Sequence, residues 1–210
     1  MYTYPVIQKI FFDLYGTLID LKGVDEFNRR LEQRLGPARF EIVEKHFIEA
    51  HLLPIEAEKW IRQTAEDIKA TSAEVLDLQK KLHYPDWEVY PDVRPALETV
   101  IKKGLKIGLI SNATMEANQS LQASGLLPYF DTVTLSYQIG ARKPDKKIFE
   151  VALREALCEP AQAMMIGDSL EADIVGAKNA GMQAILLERK EGNIDNPKKI
   201  RSLLELEKLL

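Results

Sequence analysis

Short apolar runs alternate along the chain with helical patterns, and this alternation predicts the fold. Four runs of strand length end in small or acidic residues: VIQKIFFD at 6–13, LKIGLISN at 105–112, AMMIGDS at 163–169 and QAILLE at 183–188. A weaker run, DTVTLS, covers 131–136. Because the stronger runs are apolar on both faces, they are typical of a parallel sheet that is covered on two sides.

Amphipathic helices are predicted between these strands. The segments 93–104, 115–125 and 170–181 each end in a glycine, which can take the left-handed conformation that stops a helix. A further helix is expected at about 145–157, and the closing run at 198–210 predicts another amphipathic helix. The order of the elements therefore predicts an α/β fold with an open parallel sheet.

The segment after the first strand follows a different pattern. Its apolar residues recur at spacings of three and four, as in helices: Val24, Phe27, Leu31 and Leu35, then Phe40, Val43 and Phe47, then Trp60, Ile61, Ala65 and Ile68. A helical block of this length is too long for a simple crossover between strands. We therefore predict a core domain at 1–20 and 85–210, and an inserted helical domain at 21–84.

Composition and charge exclude several classes of protein. The chain has 210 residues, of which 46% are hydrophobic and 29% charged, values typical of a folded globular protein. A net charge of −4 offers no basic surface for nucleic acid, so no nucleic-acid partner is expected. The single Cys158 and the lack of a membrane-length apolar run favour a cytoplasmic protein without a membrane partner. The sequence does not indicate an oligomeric state.

Polar residues occupy the predicted ends of the strands, where the functional groups of an open parallel sheet collect. The residues expected at this edge are Asp13, Thr17, Ser111, Asn112, Lys143, Asp168 and Asp173. Three carboxylates against one lysine leave a surplus of negative charge, which a divalent cation would cancel. With oxygen ligands and no Cys or His nearby in the sequence, Mg²⁺ is favoured over zinc as the cofactor.

Such a set of groups suits phosphoryl transfer, which needs an in-line nucleophile and positive or donor groups around three oxygens. Asp13 can be the nucleophile, because aspartate catalyses phosphoryl transfer through an aspartyl-phosphate. Thr17, Ser111, the amides beside them and Lys143 would hold the oxygens. Glycine-rich dinucleotide and P-loop fingerprints are absent from the chain.

Four motifs occur in order at these strand ends: DLYGT, ISN, KPDKKIF and GDSLEAD. In this order they resemble the motifs of the haloacid dehalogenase-like (HAD) hydrolases, with the helical block in the place of that family's type-1 cap. The resemblance covers essentially the whole chain. It implies a Rossmann-like core, Asp13 as the nucleophile, and Mg²⁺ held by Asp13, Asp168 and the backbone carbonyl of Tyr15.

The predicted site comprises three overlapping sets of residues. The catalytic set is Asp13, Thr17, Ser111, Lys143 and Asp173; the substrate-binding set is Tyr15, Gly16, Ser111, Asn112 and Lys143; the metal-binding set is Asp13, Tyr15 and Asp168. The expected substrate is a small phosphorylated molecule.

Position 15 divides the family that this chain resembles. Its phosphatases carry a second Asp there, which protonates the leaving alcohol and then activates water, whereas the 2-haloacid dehalogenases carry Tyr and use no metal. Those dehalogenases also share a cap Arg in a stretch like RQKQLEY, a Tyr six residues after the lysine of the third motif, and a Ser-Ser-Asn run. This chain has no such cap stretch. It has Phe149 in place of the Tyr, and Asp168 and Leu170 in place of the Ser and the Asn of the Ser-Ser-Asn run.

The sequence therefore predicts a Mg²⁺-dependent phosphatase of small phosphorylated metabolites in which Tyr15 replaces the usual acid. Two alternatives stay open at this point. One is a 2-haloacid dehalogenase, which Tyr15 favours. The other is a homologue that binds a phosphorylated ligand or a protein without turnover.

Overall fold

The computed structural model describes residues 6–83, 87–189 and 199–210. Its strands are β1 (Lys9–Phe12), β2 (Ile19–Leu21), β3 (Trp87–Val89), β4 (Lys106–Ser111), β5 (Thr132–Leu135), β6 (Ala163–Gly167), β7 (Gln183–Leu187) and β8 (Lys199–Ile200). Its α-helices are α1 (Val24–Leu35), α2 (Pro37–Ala50), α3 (Ala57–Asp67), α4 (Ser72–His83), α5 (Val93–Lys102), α6 (Ala117–Ser124), α7 (Ser136–Ile139), α8 (Lys146–Glu155), α9 (Gly176–Asn179) and α10 (Leu206–Leu209). Among the residues in these ranges, no helix has the length and apolar character needed to cross a bilayer.

A parallel sheet in the order β5-β4-β1-β6-β7-β8 forms the core. The central strand β1 pairs with β4 on one side and with β6 on the other. Because side chains alternate along a strand, Ile10 and Phe12 pack with α5, and Phe11 packs on the other face with α8. The predicted α/β fold with a Rossmann-like parallel sheet is confirmed.

The helices α1 to α4 have a hydrophobic core of their own. It contains Leu31, Val43, Trp60 and Leu78, none of which belongs to the clusters on the two faces of the sheet. The antiparallel pair β2 and β3 lies at the two ends of this helical segment. We call residues 24–83 the helical insert. The predicted boundary between 84 and 85 falls outside the described residues.

Three parts of the fold differ from the sequence-based expectations. The pairing of β2 with β3 was not predicted, because each strand has only three residues. The expected helix at 170–181 begins as a π-helical turn, Leu170–Val175, before α9. The expectation of a helix across 198–210 was wrong: Lys199–Ile200 joins the sheet beside β7, and a capping box between Ser202 and Glu205 begins the helical structure only afterwards.

Candidate active site

The carboxyl ends of β1 and β6 bring two acidic residues to one edge of the sheet. Asp13 follows β1 directly, and its N–H donates to the carbonyl oxygen of Ile166 in β6 at 2.9 Å. Asp168 follows β6, and Asp173 lies in the helical turn beyond it. One carboxylate oxygen from each of Asp13, Asp168 and Asp173 lies within 4.8 Å of the other two. The sheet thus assembles the three predicted carboxylates in one place.

Lys143 lies between two of these carboxylates. Its Nζ donates to Oδ1 of Asp13 and to Oδ1 of Asp173, both at 2.6 Å, and to the carbonyl oxygen of Ile110 at 2.9 Å. The residue is only 3% exposed, so water screens these ion pairs poorly. Lys143 therefore holds the two carboxylates together and places a fixed positive charge beside Asp13.

Asn112 fixes the backbone of Lys143. The Asn112 side chain donates from Nδ2 to the carbonyl oxygen of Lys143 at 2.9 Å, and its Oδ1 accepts from the Lys143 N–H at 2.7 Å. This pair of bonds joins the end of β4 to the lysine loop. The contact of Asn112 with substrate stays a prediction, whereas its contact with Lys143 is direct.

The turn after β6 buries Asp173 and leaves Asp168 at the surface of the site. Asp173 is 1% exposed, and its Oδ2 accepts from the Ser169 N–H at 3.0 Å. The Ser169 hydroxyl accepts from the Ala172 N–H, so Ser169 caps the helical turn. Asp168 is therefore not needed as the cap, and its carboxylate is left for the site.

Gly16 allows the loop after β1 to approach Asp168 closely. Its φ of +81° lies in the left-handed region, and a Cβ at this position would lie 2.3 Å from Oδ2 of Asp168. The buried Thr17 hydroxyl faces the other oxygen, Oδ1, at 3.5 Å. The position of the Asp168 carboxylate thus depends on the absence of a side chain at residue 16.

We expect Gly16→Ala to lower both activity and stability. The left-handed conformation alone costs a residue with a Cβ about 1–2 kcal/mol, and the clash forces the Asp168 carboxylate to move. Chemical denaturation and kcat are the measurements. Gly23→Ala is a matched control, because Gly23 has a φ of +69° but nothing within 4 Å of its Cβ position. Wild-type kcat in Gly16→Ala would show that the position of Asp168 does not matter.

The clustered charges alter the pKa values of the site. Burial raises the pKa of Asp13 to about 7; Asp173 and Asp168 add to the rise, and Lys143 opposes it. Asp168 is partly exposed at the mouth of the site, yet desolvation and the charge of Asp173 raise its pKa to about 6. Burial alone would lower the pKa of Lys143, but Asp13 and Asp173 outweigh it and raise that pKa.

The raised pKa values of Asp13 and Asp168 reflect burial first, and the repulsion between neighbouring carboxylates adds to them. A bound cation would offset both effects. The donor atoms are carboxylate oxygens alone, which suits a hard divalent cation, and they lie close enough together to share one ion. The cluster of Asp13, Asp168 and Asp173 could therefore hold a metal.

Ser111 ends β4 at the same edge of the sheet. Its hydroxyl is buried, and it has no hydrogen-bond partner among the residues that the structure describes. A buried hydroxyl without a partner is costly, and an oxygen of a bound ligand would satisfy it. Ser111 is therefore suited to the substrate-binding role that the sequence predicts.

Tyr15 packs against the core beside the site, with α6 as its neighbour. Burial raises the pKa of its hydroxyl above the ordinary 10; a hydrogen bond with the Ser120 side chain opposes the rise, and the charges of Asp13 and Glu116 add to it. The phenol is therefore uncharged at neutral pH. It is both a poor proton donor and a poor base.

Sequence reasoning missed Arg189, which braces the loop after β1. Its guanidinium donates to both carboxylate oxygens of Asp92 at 3.0 Å and to the carbonyl oxygen of Thr17 at 2.7 Å, and it lies 3.9 Å from the Tyr90 ring centroid. It follows β7 almost directly, as a charged residue at a strand end. Its place at a strand end did not indicate what Arg189 would bind, because Asp92 and Thr17 are 97 and 172 residues away along the chain.

Comparison with known proteins agrees with this geometry. The model of the haloacid dehalogenase-like hydrolases matches residues 7–181. A glyceraldehyde 3-phosphate phosphatase of Methanothermobacter thermautotrophicus is 39% identical over 99 residues, which make up 47% of this chain and 44% of that relative. The chain spans about half the length of the relatives that it matches in this way.

Two solved structures are similar over nearly their whole length. A HAD phosphatase from Thermococcus onnurineus is 28% identical with a TM-score of 0.66, over 97% of each chain. A 2-haloacid dehalogenase from Pseudomonas syringae is 27% identical with a TM-score of 0.70, over 97% of this chain and 98% of that one. Both branches of the family are therefore represented at similar distance. The motifs, the sheet and the family match together show that this chain belongs to the haloacid dehalogenase-like hydrolase family.

Proposed function

We propose that this chain is a Mg²⁺-dependent phosphatase of small phosphorylated metabolites that works through a phosphoryl group on Asp13. The observation that carries the proposal is the position of Asp168. Its carboxylate lies within reach of Asp13 and Asp173 and is not needed to cap the following helical turn. A reaction that used no metal would gain nothing from a third carboxylate beside an anionic nucleophile.

The residues of the site take the following roles in this proposal. An oxygen of Asp13 forms a bond to phosphorus as the bond from phosphorus to the leaving oxygen breaks, and the leaving oxygen keeps the electron pair. Water then adds to phosphorus as the bond to Asp13 breaks; the Asp13 oxygen keeps that electron pair, which restores the carboxylate, and the proton lost by the water passes to solvent. Lys143, Ser111 and the amides around Gly16 stabilise the phosphoryl oxygens during both steps.

Asp13, Asp168 and the backbone carbonyl of Tyr15 would hold Mg²⁺. When bound, the ion supplies positive charge that neutralises the phosphoryl oxygens and the surplus of carboxylates. Asp173 keeps Lys143 in place, because it accepts one of the three hydrogen bonds from Nζ. The Asn112 side chain also holds Lys143 in place, through its two hydrogen bonds with the Lys143 backbone.

The predicted domain 21–84, which contains the helical insert, serves as a cap in this proposal. Its separate hydrophobic core supports a unit that moves as one body. Its contact with the core domain includes the carbonyl oxygen of Leu52, 3.6 Å from the Cβ position of Gly140 in the loop before Lys143. A cap placed there would exclude water from the site and contact the leaving group.

A 2-haloacid dehalogenase is the second candidate. Tyr15 favours it, as does the similarity to the Pseudomonas syringae enzyme. The purified protein should be given p-nitrophenyl phosphate and 2-chloropropionate, each with Mg²⁺ and with EDTA. The proposal predicts Mg²⁺-dependent release of nitrophenol and no chloride. Release of chloride that survives EDTA would establish the dehalogenase instead.

The side chain of Tyr15 leads to a prediction about leaving groups. A positioned general acid is worth about 10²–10⁴ in rate, and the raised pKa of Tyr15 makes it a poor one. The enzyme should therefore prefer p-nitrophenyl phosphate and acyl phosphates over alkyl phosphates. Tyr15→Asp should raise the rate of alkyl-phosphate hydrolysis by about ten- to a thousandfold. The rate of p-nitrophenyl phosphate hydrolysis should change little.

The measurement is the ratio of the rate on an alkyl phosphate to the rate on p-nitrophenyl phosphate, and Tyr15→Phe is the control. Phe keeps the ring and removes the hydroxyl, so the ratio should stay at its wild-type value in that variant. Thermal melts show whether Tyr15→Asp is folded. A folded Tyr15→Asp protein with an unchanged ratio would mean that Tyr15 does not stand in for a missing acid.

A further inference from the structure

The chain passes between the core domain and the helical insert twice, and one arginine of the core bonds to both passages. On the outgoing side, residues 13–18 lead from β1 into β2, and we call them the β1–β2 loop. On the returning side, β3 leads to Asp92 at the N-cap position of α5. Because β2 pairs with β3, the two passages form one ribbon between the core and the insert. Arg189, two residues after the end of β7, lies at the core end of this ribbon.

Arg189 holds the end of the β1–β2 loop and the returning passage at the same time. Its Nη2 donates to the carbonyl oxygen of Thr17 at 2.7 Å and to Oδ1 of Asp92 at 3.0 Å, and its Nη1 donates to Oδ2 of Asp92 at 3.0 Å. The guanidinium carbon lies 3.9 Å from the centroid of the Tyr90 ring. The Tyr90 N–H in turn donates to the carbonyl oxygen of Leu18 at 3.1 Å. Both passages are therefore fixed to the end of β7 through one planar cation.

The Asp92 carboxylate is itself fixed by further contacts. Its Oδ2 accepts from the Ser202 hydroxyl at 2.8 Å and from the Leu203 N–H at 2.9 Å. Burial alone would raise the pKa of this carboxyl group, but its hydrogen bonds from Arg189, Ser202 and the Leu203 N–H lower it. The carboxylate is therefore ionised at neutral pH and pairs with the guanidinium in a two-pronged geometry. Asp92 thus sets the direction in which Arg189 points.

The β1–β2 loop carries much of the proposed metal site. Asp13 begins the loop, and the carbonyl of Tyr15 is the second metal ligand proposed from it. Thr17 lies against the third ligand, Asp168, with its hydroxyl 3.5 Å from Oδ1. The Asp13 N–H fixes the beginning of the loop to β6, and the bond from Arg189 to the Thr17 carbonyl fixes its end to β7.

We propose that Arg189 is a positioning residue of this site, which keeps the β1–β2 loop in the geometry that binds the metal when the insert moves. Movement of the insert pulls on β2 and therefore on the loop that precedes it. The hydrogen bond from Arg189 to the Thr17 carbonyl opposes that pull at the last turn of the loop. Arg189 acts through the backbone of Thr17 rather than on the substrate. The inference rests on the proposed function, because the metal and the moving cap belong to that proposal.

The test compares variants of the same network. Arg189→Met removes the guanidinium, and Arg189→Lys keeps the charge but not the fork that reaches Thr17 and Asp92 together. Ser202→Ala is the matched control: it removes a hydrogen bond to Asp92 and a capping box, but not the bond from Arg189 to Thr17. Arg201→Met controls for the loss of a positive charge, because the Arg201 side chain is largely exposed after β8.

Two readouts are taken, and neither requires turnover. Amide hydrogen exchange of peptides that cover residues 13–19, relative to peptides from α8, reports local opening of the loop without metal. The Gly16 and Leu18 N–H groups suit this measurement, because they donate to the Ile19 and Leu14 carbonyl oxygens at 2.7 and 2.8 Å. Calorimetry with Mg²⁺ gives Kd for the metal. Urea denaturation of each variant measures stability separately.

Arg189→Met should speed exchange in 13–19 by about tenfold, as expected for the loss of a hydrogen bond from a charged donor. It should also raise Kd for Mg²⁺ by about ten- to a hundredfold, the usual effect of removing a group that orients metal ligands. Arg189→Lys should cause smaller changes in the same direction. Ser202→Ala should lower the urea midpoint and leave both readouts at the wild-type values. Arg201→Met should change neither readout.

Wild-type exchange and wild-type Mg²⁺ affinity in folded Arg189→Met protein would overturn the proposal. Equal changes in Ser202→Ala would overturn it too, because the network would then only stabilise the fold. If Arg189→Met does not fold, Arg189→Lys decides by the same readouts; failure of both to fold would make Arg189 a structural residue and the proposal wrong.

Failure of the phosphatase proposal has a different appearance. The wild-type protein would then bind no Mg²⁺ and would not hydrolyse p-nitrophenyl phosphate. Hydrogen exchange in the metal-free protein would still decide whether Arg189 holds the β1–β2 loop: faster exchange in Arg189→Met but not in Ser202→Ala supports that role, and equal exchange in the two variants contradicts it.

Discussion

Asp13→Asn should abolish turnover of every phosphate ester that the wild-type protein hydrolyses, while the protein stays folded. The amide keeps the shape of the side chain, and its oxygen can still accept from Nζ of Lys143, which lies 2.6 Å from Oδ1 in the wild type. It cannot attack phosphorus as a carboxylate does. Loss of the nucleophile should lower kcat by about 10⁴-fold or more, measured with p-nitrophenyl phosphate at saturating Mg²⁺.

Asp25→Asn is a suitable control for this change. Asp25 is an exposed carboxylate in the first turn of α1 and belongs to none of the four motifs, so its replacement should leave kcat unchanged. Thermal melts of both variants separate catalysis from folding. A folded Asp13→Asn protein with more than a few per cent of wild-type kcat would mean that Asp13 is not the nucleophile.

Lys143→Met should lower both kcat and stability. Met fills most of the space of the lysine stem but removes the charge that separates Asp13 from Asp173. Breaking a buried ion pair by removing one partner costs about 3–5 kcal/mol, and the loss of one group that stabilises the transferring phosphoryl costs about 10²–10³ in rate. Urea denaturation and steady-state kinetics measure the two effects separately.

Lys146→Met is the matched comparison for Lys143→Met. Lys146 lies three residues further along, is largely exposed, and pairs with Glu150 on the same helix. Exposed pairs of this kind contribute little, so both stability and kcat should stay close to wild type. If Lys143→Met behaved in the same way, Lys143 would have no part in the site despite its burial.

The α/β fold was predictable because its signals are local. Runs such as AMMIGDS are apolar on both faces and end at the sheet edge, so the strand and the position of Asp168 follow from the same seven residues. Glycines such as Gly125 and Gly181 mark helix ends in the same way. The clustering of Asp13, Asp168 and Asp173 then followed from the rule that parallel strands end at one edge.

The features that the sequence did not predict depend on contacts between segments that are distant along the chain. Arg189 acts through Asp92 and the Thr17 carbonyl, and neither partner is signalled by the residues around it. The strand β8 is two residues long and is defined by its pairing with β7 rather than by a pattern.

The central claim is that a phosphoryl group passes through Asp13, and trapping that group tests it most directly. Wild-type protein should be mixed with acetyl phosphate and Mg²⁺, quenched in acid during turnover, digested, and analysed by mass spectrometry. We expect a phosphoryl group on the peptide that contains Asp13, and none in the Asp13→Asn protein treated identically. Steady hydrolysis of acetyl phosphate without that modification, or with the phosphoryl group on another residue, would contradict the account.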